Sequence, residues 1–153
     1  QNDLWALLGA GDQTVSVAIE AKAGEKFGEP VEKWISTDNE RSRKPERLED
    51  LRRWLGIPTE DVSKIRYQLL HRTASALKEA QRFRASWAVL LIQSFNRQAD
   101  QESFEDFAEF SNLMLATVSE GRLAKSAQPT AVPLLLGWVS CTPAGLDRLN
   151  AAV

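Results

Sequence analysis

The sequence is poor in the residues that build several common kinds of site. Its 153 residues include one cysteine, Cys141, and one histidine, His71. A single cysteine excludes an internal disulfide, and a single histidine excludes a histidine-rich zinc site. A lone cysteine is typical of proteins from a reducing compartment, so the sequence predicts a cytoplasmic protein. Cys141 has no evident base beside it, which favours a small apolar role over a nucleophilic one.

Long hydrophobic segments and several enzyme signatures are also lacking. The longest apolar runs, such as residues 87–92, are too short to cross a bilayer, and no segment resembles a signal peptide. We therefore expect no membrane partner. The sequence has no glycine-rich phosphate loop, no Ser-His-Asp order and no internal repeat. A net charge of −2 argues against a general polyanion binder.

The composition that remains is that of an ordinary globular protein. Apolar residues make up 43% of the chain and charged residues 26%. A chain of this length can bury a sizeable core as one unit. The sequence therefore predicts a single domain over residues 1–153.

The clearest pattern is a β-hairpin near the start of the chain. Apolar and other residues alternate over residues 14–22, which predicts a strand with one apolar face. A shorter apolar run over residues 4–8 precedes it, and the glycine-containing segment between them predicts a turn. An antiparallel hairpin would bring Asp3 close to Glu20. Lys22 lies two residues after Glu20, so both side chains point to the same side.

Two carboxylates and a lysine at one end of a hairpin can hold a divalent cation and a water. Mg²⁺ prefers a few carboxylate oxygens and keeps several of its own waters, so Asp3 and Glu20 are the candidate metal ligands. Lys22 could orient the water or stabilise developing charge. Glu25 is a candidate additional ligand or outer contact, and equally an ordinary loop carboxylate. The alternative for Glu20 and Lys22 is a solvated pair on a half-exposed strand.

The pattern D…E-x-K resembles the motif of the PD-(D/E)XK nuclease superfamily. Asn2-Asp3 stands where that motif has Pro-Asp, and Glu20-Ala21-Lys22 stands where it has (D/E)XK. The segments VAIEAKAGEKFGEPVEKW and RYQLLHRTASAL and the strand end Gln93-Ser94-Phe95 extend the similarity to an uncharacterised bacterial branch, over residues 2–139. The resemblance implies a restriction-endonuclease-like α/β core with a central mixed sheet flanked by helices. It also implies hydrolysis of nucleic acid that depends on Mg²⁺ or Mn²⁺, with Asp3, Glu20 and Lys22 as catalytic residues.

A long helix is predicted to begin at Thr59 or Asp61 and to end near residue 83. Gln68 and Arg72 fall on one polar stripe of this helix. The resemblance implies that Gln68 helps to orient the water at the metal site, with Arg72 as a phosphate ligand. His71 lies beside this stripe as a further candidate contact, although a structural role is favoured over that of a general base. With this role at the metal site, Gln68→Ala should change the free energy of unfolding by less than about 0.5 kcal/mol while weakening metal-dependent activity. The alternative is an ordinary solvated helix face.

Other elements follow from local signals. We predict a helix from Pro45 to Gly56 and a strand at residues 87–95 that is covered on both faces. Next come a helix capped by Ser103, a polar loop at residues 119–130, a strand at residues 133–139 and a helix at residues 143–152. A basic cluster begins just before the helix predicted from Pro45 to Gly56 and continues into it. It would either contact a phosphate backbone or form a solvated surface. Its members are Arg41, Arg43, Lys44, Arg47, Arg52 and Arg53.

One departure from the superfamily pattern leads to two further expectations. The superfamily core begins with a helix before its first strand, whereas Asp3 is almost the first residue here. We therefore expect an N-terminally truncated domain with an exposed apolar patch near residues 4–8 or 15–19, or a homodimer that covers it.

The functional alternative is a non-catalytic nuclease-like module that binds protein or nucleic acid.

Overall fold

A computed structural model describes residues 2–36, 42–96 and 98–141 of the chain. These residues form a mixed α/β fold, as predicted. The elements are β1 (Leu4–Ala10), β2 (Gln13–Lys22), α1 (Val31–Ser36), α2 (Lys44–Trp54), α3 (Tyr67–Arg82), β3 (Trp87–Ser94), α4 (Gln101–Leu113), β4 (Leu123–Lys125) and β5 (Leu134–Ser140). Within these described ranges, no helix is both long and apolar enough to span a membrane.

The strands form one five-stranded mixed sheet in the order β1-β2-β3-β5-β4. β1 and β2 are the predicted antiparallel hairpin, and Gly11 makes its turn with a φ of 64°. The central strands β2, β3 and β5 run parallel, while β4 returns antiparallel to β5. Parallel neighbours need a crossover, and α3 and α4 provide the helices of those two crossovers.

One face of the sheet is packed against the helices. α3 packs on β2 and β3. On α4, Phe104 and Phe107 contact Trp138 of β5 through their rings. The strand register places Trp138 beside Ile92, and Ile92 beside Glu20. The even-numbered side of β2 therefore faces the core, which carries Glu20 into the interior.

The opposite face of the sheet is only partly covered, and we call it the half-buried face. On it, Ile19 of β2 and Leu91 of β3 are half-buried, whereas Val89 of β3 is 4% exposed. The prediction that β3 is covered on both faces is therefore correct at Val89 and wrong at Leu91. At the sheet edge, Leu4 and Leu8 are 55% and 53% exposed. The apolar patch predicted for residues 4–8 is thus present.

Several predicted boundaries were wrong for identifiable reasons. α3 begins at Tyr67, because the segment before it makes long-range backbone contacts: Val31 N–H donates to the Ile65 carbonyl (2.9 Å). α4 begins at Gln101, two residues before Ser103, which lies inside the helix. β4 forms within the segment predicted as a loop. The helix predicted at residues 143–152 lies outside the described residues.

Candidate active site

The hairpin fixes Asp3 beside the end of β2. The Asp3 N–H donates to the Ile19 carbonyl at 3.1 Å. In return, Asp3 Oδ2 accepts the N–H of Ala21 at 2.8 Å. The Asp3 side chain is otherwise exposed. Both contacts hold this carboxylate next to the segment that carries Glu20 and Lys22, as the sequence predicted.

Glu20 and Lys22 lie at the interface between the sheet and α3. Each is only 2% exposed. Lys22 Nζ is 3.5 Å from Glu20 Oε1, and it lies 4.6 Å from the centre of the Phe27 ring. The alternative of a solvated pair on a half-exposed strand is therefore wrong. Removing two charges from water carries a large desolvation penalty, so such a pair needs further polar partners.

α3 supplies those partners. Gln68 Nε2 donates to Glu20 Oε1 at 2.5 Å, and Gln68 Oε1 accepts from Lys22 Nζ at 3.4 Å. Arg72, one helical turn later, places Nε 2.6 Å from Glu20 Oε2. Both α3 side chains are half-buried. The predicted polar stripe is thus not a fully solvated helix face, because two of its members contact a buried carboxylate.

The contact between Arg72 and Glu20 is close but poorly aligned for a hydrogen bond. Although the two atoms are 2.6 Å apart, neither Arg72 Nε nor Glu20 Oε2 makes a hydrogen bond of acceptable geometry with any described residue. The interaction is therefore mainly electrostatic. The Arg72 guanidinium group therefore compensates the burial of Glu20 Oε2 by its charge.

The loop after β2 is held in place by α4 and the end of β3. The buried Asp100 accepts the Gly24 N–H at 2.7 Å and the Ser94 hydroxyl at 2.6 Å. Ser103 donates to the carbonyl of Glu25. The sequence does not reveal this role of Asp100 and Ser103, because the acidic stretch that contains them resembles an ordinary helix start.

Glu25 lies at the solvent side of this loop. Its Oε1 is 3.8 Å from Lys22 Nζ, and its Oε2 accepts the Ala23 N–H at 2.8 Å. More than half of its side chain is exposed. Glu25 is therefore an outer neighbour of the lysine, and a role as a metal ligand stays a prediction.

An open cleft of about 500 Å³ brings most of the candidate residues together. Those that line it are Asp3, Glu20, Lys22, Glu25, Gln68 and Arg72. Trp34 and Tyr67 also line it, and their rings stack with centres 3.8 Å apart. A second cleft of similar volume lies beside Arg53 and Trp54, but Arg53 is the one charged residue in its lining. The first cleft is thus the better candidate for chemistry.

His71 has a different environment from the other candidates. It is half-buried, stacks on Tyr67 with ring centres 6.0 Å apart, and is absent from the described lining of the cleft. Burial lowers the pKa of His71 below its usual value, and the nearby charge of Arg72 acts in the same direction. The imidazole is therefore neutral at pH 7. Its proposed contact near the site stays a prediction.

The basic cluster is largely engaged in local contacts where the structure describes it. Arg52 donates to the carbonyls of Ile57 and Glu60, and Arg53 forms ion pairs with Glu49 and Asp50. Lys44 lies over the Trp34 ring at 5.2 Å and donates to the Trp34 carbonyl. Arg41 lies outside the described residues. Local structure thus accounts for these contacts, and phosphate binding by the cluster stays a prediction.

The contacts of Gln68 change the expected effect of its truncation. Gln68→Ala should lower the free energy of unfolding by about 1–3 kcal/mol, because it removes the closest donor to a buried carboxylate oxygen. Gln81→Ala, at an exposed position of α3, is the matched control and should cost under about 0.5 kcal/mol. Urea unfolding of both variants measures the difference. If Gln68→Ala and Gln81→Ala had equal free energies of unfolding, the Gln68–Glu20 contact would not be formed in solution.

Comparisons with known proteins give a family but no function. Neither the comparison with curated proteins nor the comparison with solved structures finds a match. A family model described as a domain of unknown function, DUF6946, matches residues 1–143. With most of its length matched, the chain belongs to the DUF6946 family.

Proposed function

We propose that this protein hydrolyses phosphodiester bonds of nucleic acid with the help of a divalent metal ion, as a member of the PD-(D/E)XK type with a restriction-endonuclease-like core. One observation carries the proposal: Glu20 and Lys22 are buried at the base of an open cleft, and Asp3 is held at its rim. These are the three residues of the D…E-x-K pattern.

The energetics of this cluster support a functional role. A buried ion pair is weak evidence for stability, since apolar residues of similar volume often serve a fold equally well. Here a buried glutamate and lysine occupy the core-facing side of β2, where the neighbouring Ala18 is apolar and fully buried. Polar groups that open onto a cleft from such a position are better explained by chemistry than by packing.

The donor set suits Mg²⁺ or Mn²⁺ in a site completed by water and substrate. Among the described residues, no group of three or more His, Cys, Asp or Glu side chains could hold a metal ion. Mg²⁺ is commonly bound through one or two carboxylates plus waters and substrate phosphates, so a complete protein cage is not required. Asp3 and Glu20 would hold the ion, with Glu20 Oε2 available once Arg72 moves away from it. When bound, such an ion stabilises charge on phosphoryl oxygens and lowers the pKa of a coordinated water.

The protein's own residues would contact the water and the substrate phosphate and position the metal ligand. Lys22 can donate from its ammonium group to a water or phosphate oxygen in the cleft that it lines. Gln68 fixes the orientation of Glu20 and also contacts Lys22, so it positions both groups. Arg72 can release Glu20 and pair with a substrate phosphate, because a guanidinium group matches phosphate geometry well.

One observation favours the second candidate, a non-catalytic module that binds nucleic acid or protein. Glu20 already has two cationic neighbours, Lys22 and Arg72. Their combined charge more than neutralises the carboxylate, so a metal ion would have to compete with Arg72 for Glu20 Oε2. A protein that retained this arrangement without metal would bind through the cleft and cleave nothing.

The two candidates separate in a paired experiment on metal binding and cleavage. Saturating Mn²⁺ should raise the melting temperature, since a ligand at a hundred times its Kd stabilises the native state by about 2.7 kcal/mol. Asp3→Asn should abolish the shift. Arg72→Ala should enlarge it, because the competing cation is gone, while weakening the cleavage of a mixture of DNA and RNA strands.

Each outcome of this experiment points to one interpretation. A Mn²⁺ shift together with cleavage supports the nuclease proposal. A shift without cleavage of any strand, or a shift that occurs only in the Arg72→Ala form, favours the binding module. A folded protein that shows no shift, in both its natural form and the Arg72→Ala form, would overturn the metal-dependent proposal.

A further inference from the structure

The strand β1 forms one edge of the sheet, and the described residues give it none of the usual protection of such an edge. It is seven residues long and contains no charged residue and no proline. In the strand order its sole neighbour among the described strands is β2. Every second residue of an edge strand directs its N–H and C=O groups outward, so a long apolar edge is a template for pairing with another strand.

The side chains of β1 are exposed on both faces of the sheet. Leu4 and Leu8 point to the half-buried face and are 55% and 53% exposed. Trp5 and Leu7 point to the helical face and remain 36% and 38% exposed. Phe83, which contacts Trp5 with ring centres 4.8 Å apart, is also exposed. A strand added beside β1 would cover apolar surface on both faces at once.

The opposite edge of the sheet is built differently. β4 has three residues, and one of them is Lys125. Short length and lysine are two features that prevent strand pairing at sheet edges. Pairing of β1 with β4 of another copy would also leave free edges at both ends and produce open chains. The pairing that closes on itself is β1 with β1.

We propose that two copies of this protein associate through β1, which pairs antiparallel with β1 of the second copy and joins the two sheets into one. A twofold axis brings the same edge of both copies together, so the apolar side chains of one β1 lie beside those of the other. The absence of charge along β1 avoids opposed like charges in such a pair. This inference is independent of the proposed chemistry, because β1 can pair whether or not the cleft is catalytic.

The test measures molecular mass in solution over a range of concentrations by sedimentation. The full chain should form a dimer. Leu8→Lys should weaken the dimer by at least about tenfold, since lysine on an edge strand opposes pairing and a symmetric dimer contains two of them. Hydrogen exchange should show the outward amides of β1 protected in the dimer and exposed in the variant.

Leu123→Lys is the matched control. Leu123 lies on β4, on the same sheet face as Leu8, and has the same exposure of 53%. This variant should dimerise like the natural protein. Circular dichroism and the melting temperature establish that both variants are folded. A monomer at all concentrations would overturn the proposal. Equal loss of the dimer in both variants would also overturn it, because it would indicate contact through the sheet face and not through the edge.

Discussion

Replacing Lys22 by methionine should lower the proposed metal-dependent cleavage of nucleic acid by about 10²–10³-fold, the usual loss when one charge-stabilising donor is removed from an active site. Methionine keeps an apolar stem against Phe27 and removes the ammonium group. Asp3 and Glu20 stay in place, so the increase in melting temperature with Mn²⁺ should be retained. The two measurements are kcat/KM on a single oligonucleotide and a melting curve with and without Mn²⁺.

The control for this variant is Lys33→Met. Lys33 is 63% exposed on α1, forms an ion pair with Glu29 at 2.8 Å and is not part of the cleft lining. The Lys33→Met variant changes the net charge by the same amount as Lys22→Met. It should leave the cleavage rate within about twofold of the natural protein, since exposed ion pairs contribute little to stability. Full activity in Lys22→Met would leave the lysine a purely structural role and would contradict its assignment to the chemistry.

The parts of the fold that could be predicted are those in which short-range patterns and burial agree. β2 alternates clearly, and the period located the strand. It did not identify the covered face, because Val15 and Ile19 lie on the half-buried face while the side packed against α3 carries Glu20. β5 is an uninterrupted apolar run that ends in polar residues, so its limits were correct to within one residue.

The start of α3 could not be predicted because long-range contacts decide it. Thr59 and Asp61 are good helix-capping residues, and a helix beginning there is locally reasonable. In the fold, the Ile65 carbonyl pairs with the Val31 N–H, and the Glu29 carbonyl accepts from Tyr67 N–H. These contacts tie residues 65–67 to the start of α1, and nothing in their own sequence indicates them.

The candidate site also combines features that the local sequence predicts with features that depend on long-range contacts. The D…E-x-K spacing placed Asp3, Glu20 and Lys22 together through a local hairpin, and the structure agrees. The contact of Gln68 with Glu20 joins residues 48 positions apart, so its place came from the family resemblance and its burial was underestimated. Asp100 was missed because a buried carboxylate that accepts three hydrogen bonds has no sequence signature distinct from a helix cap.

Removal of Glu20 alone and removal of Glu20 together with Lys22 should have opposite effects on stability. Glu20→Leu should lower the free energy of unfolding by about 3–5 kcal/mol, because it leaves the Lys22 ammonium buried beside an apolar side chain. Lys22→Met should cost less, since Arg72 and Gln68 still accompany the carboxylate. Urea unfolding of these variants gives the free energies.

The double variant Glu20→Leu/Lys22→Met decides whether the ion pair serves the fold or the chemistry. Apolar replacement of both partners of a buried pair is often neutral or stabilising by about 1–4 kcal/mol. We expect the double variant to unfold at a free energy at or above that of the natural protein, because Arg72 lines the open cleft and can turn to solvent once Glu20 is removed. The same variant should lose Mn²⁺ binding and cleavage. That combination is expected of a site whose stability is sacrificed for function. A double variant destabilised by the sum of the two single effects would instead make the pair a structural element, and the burial of Glu20 would no longer support a catalytic cleft.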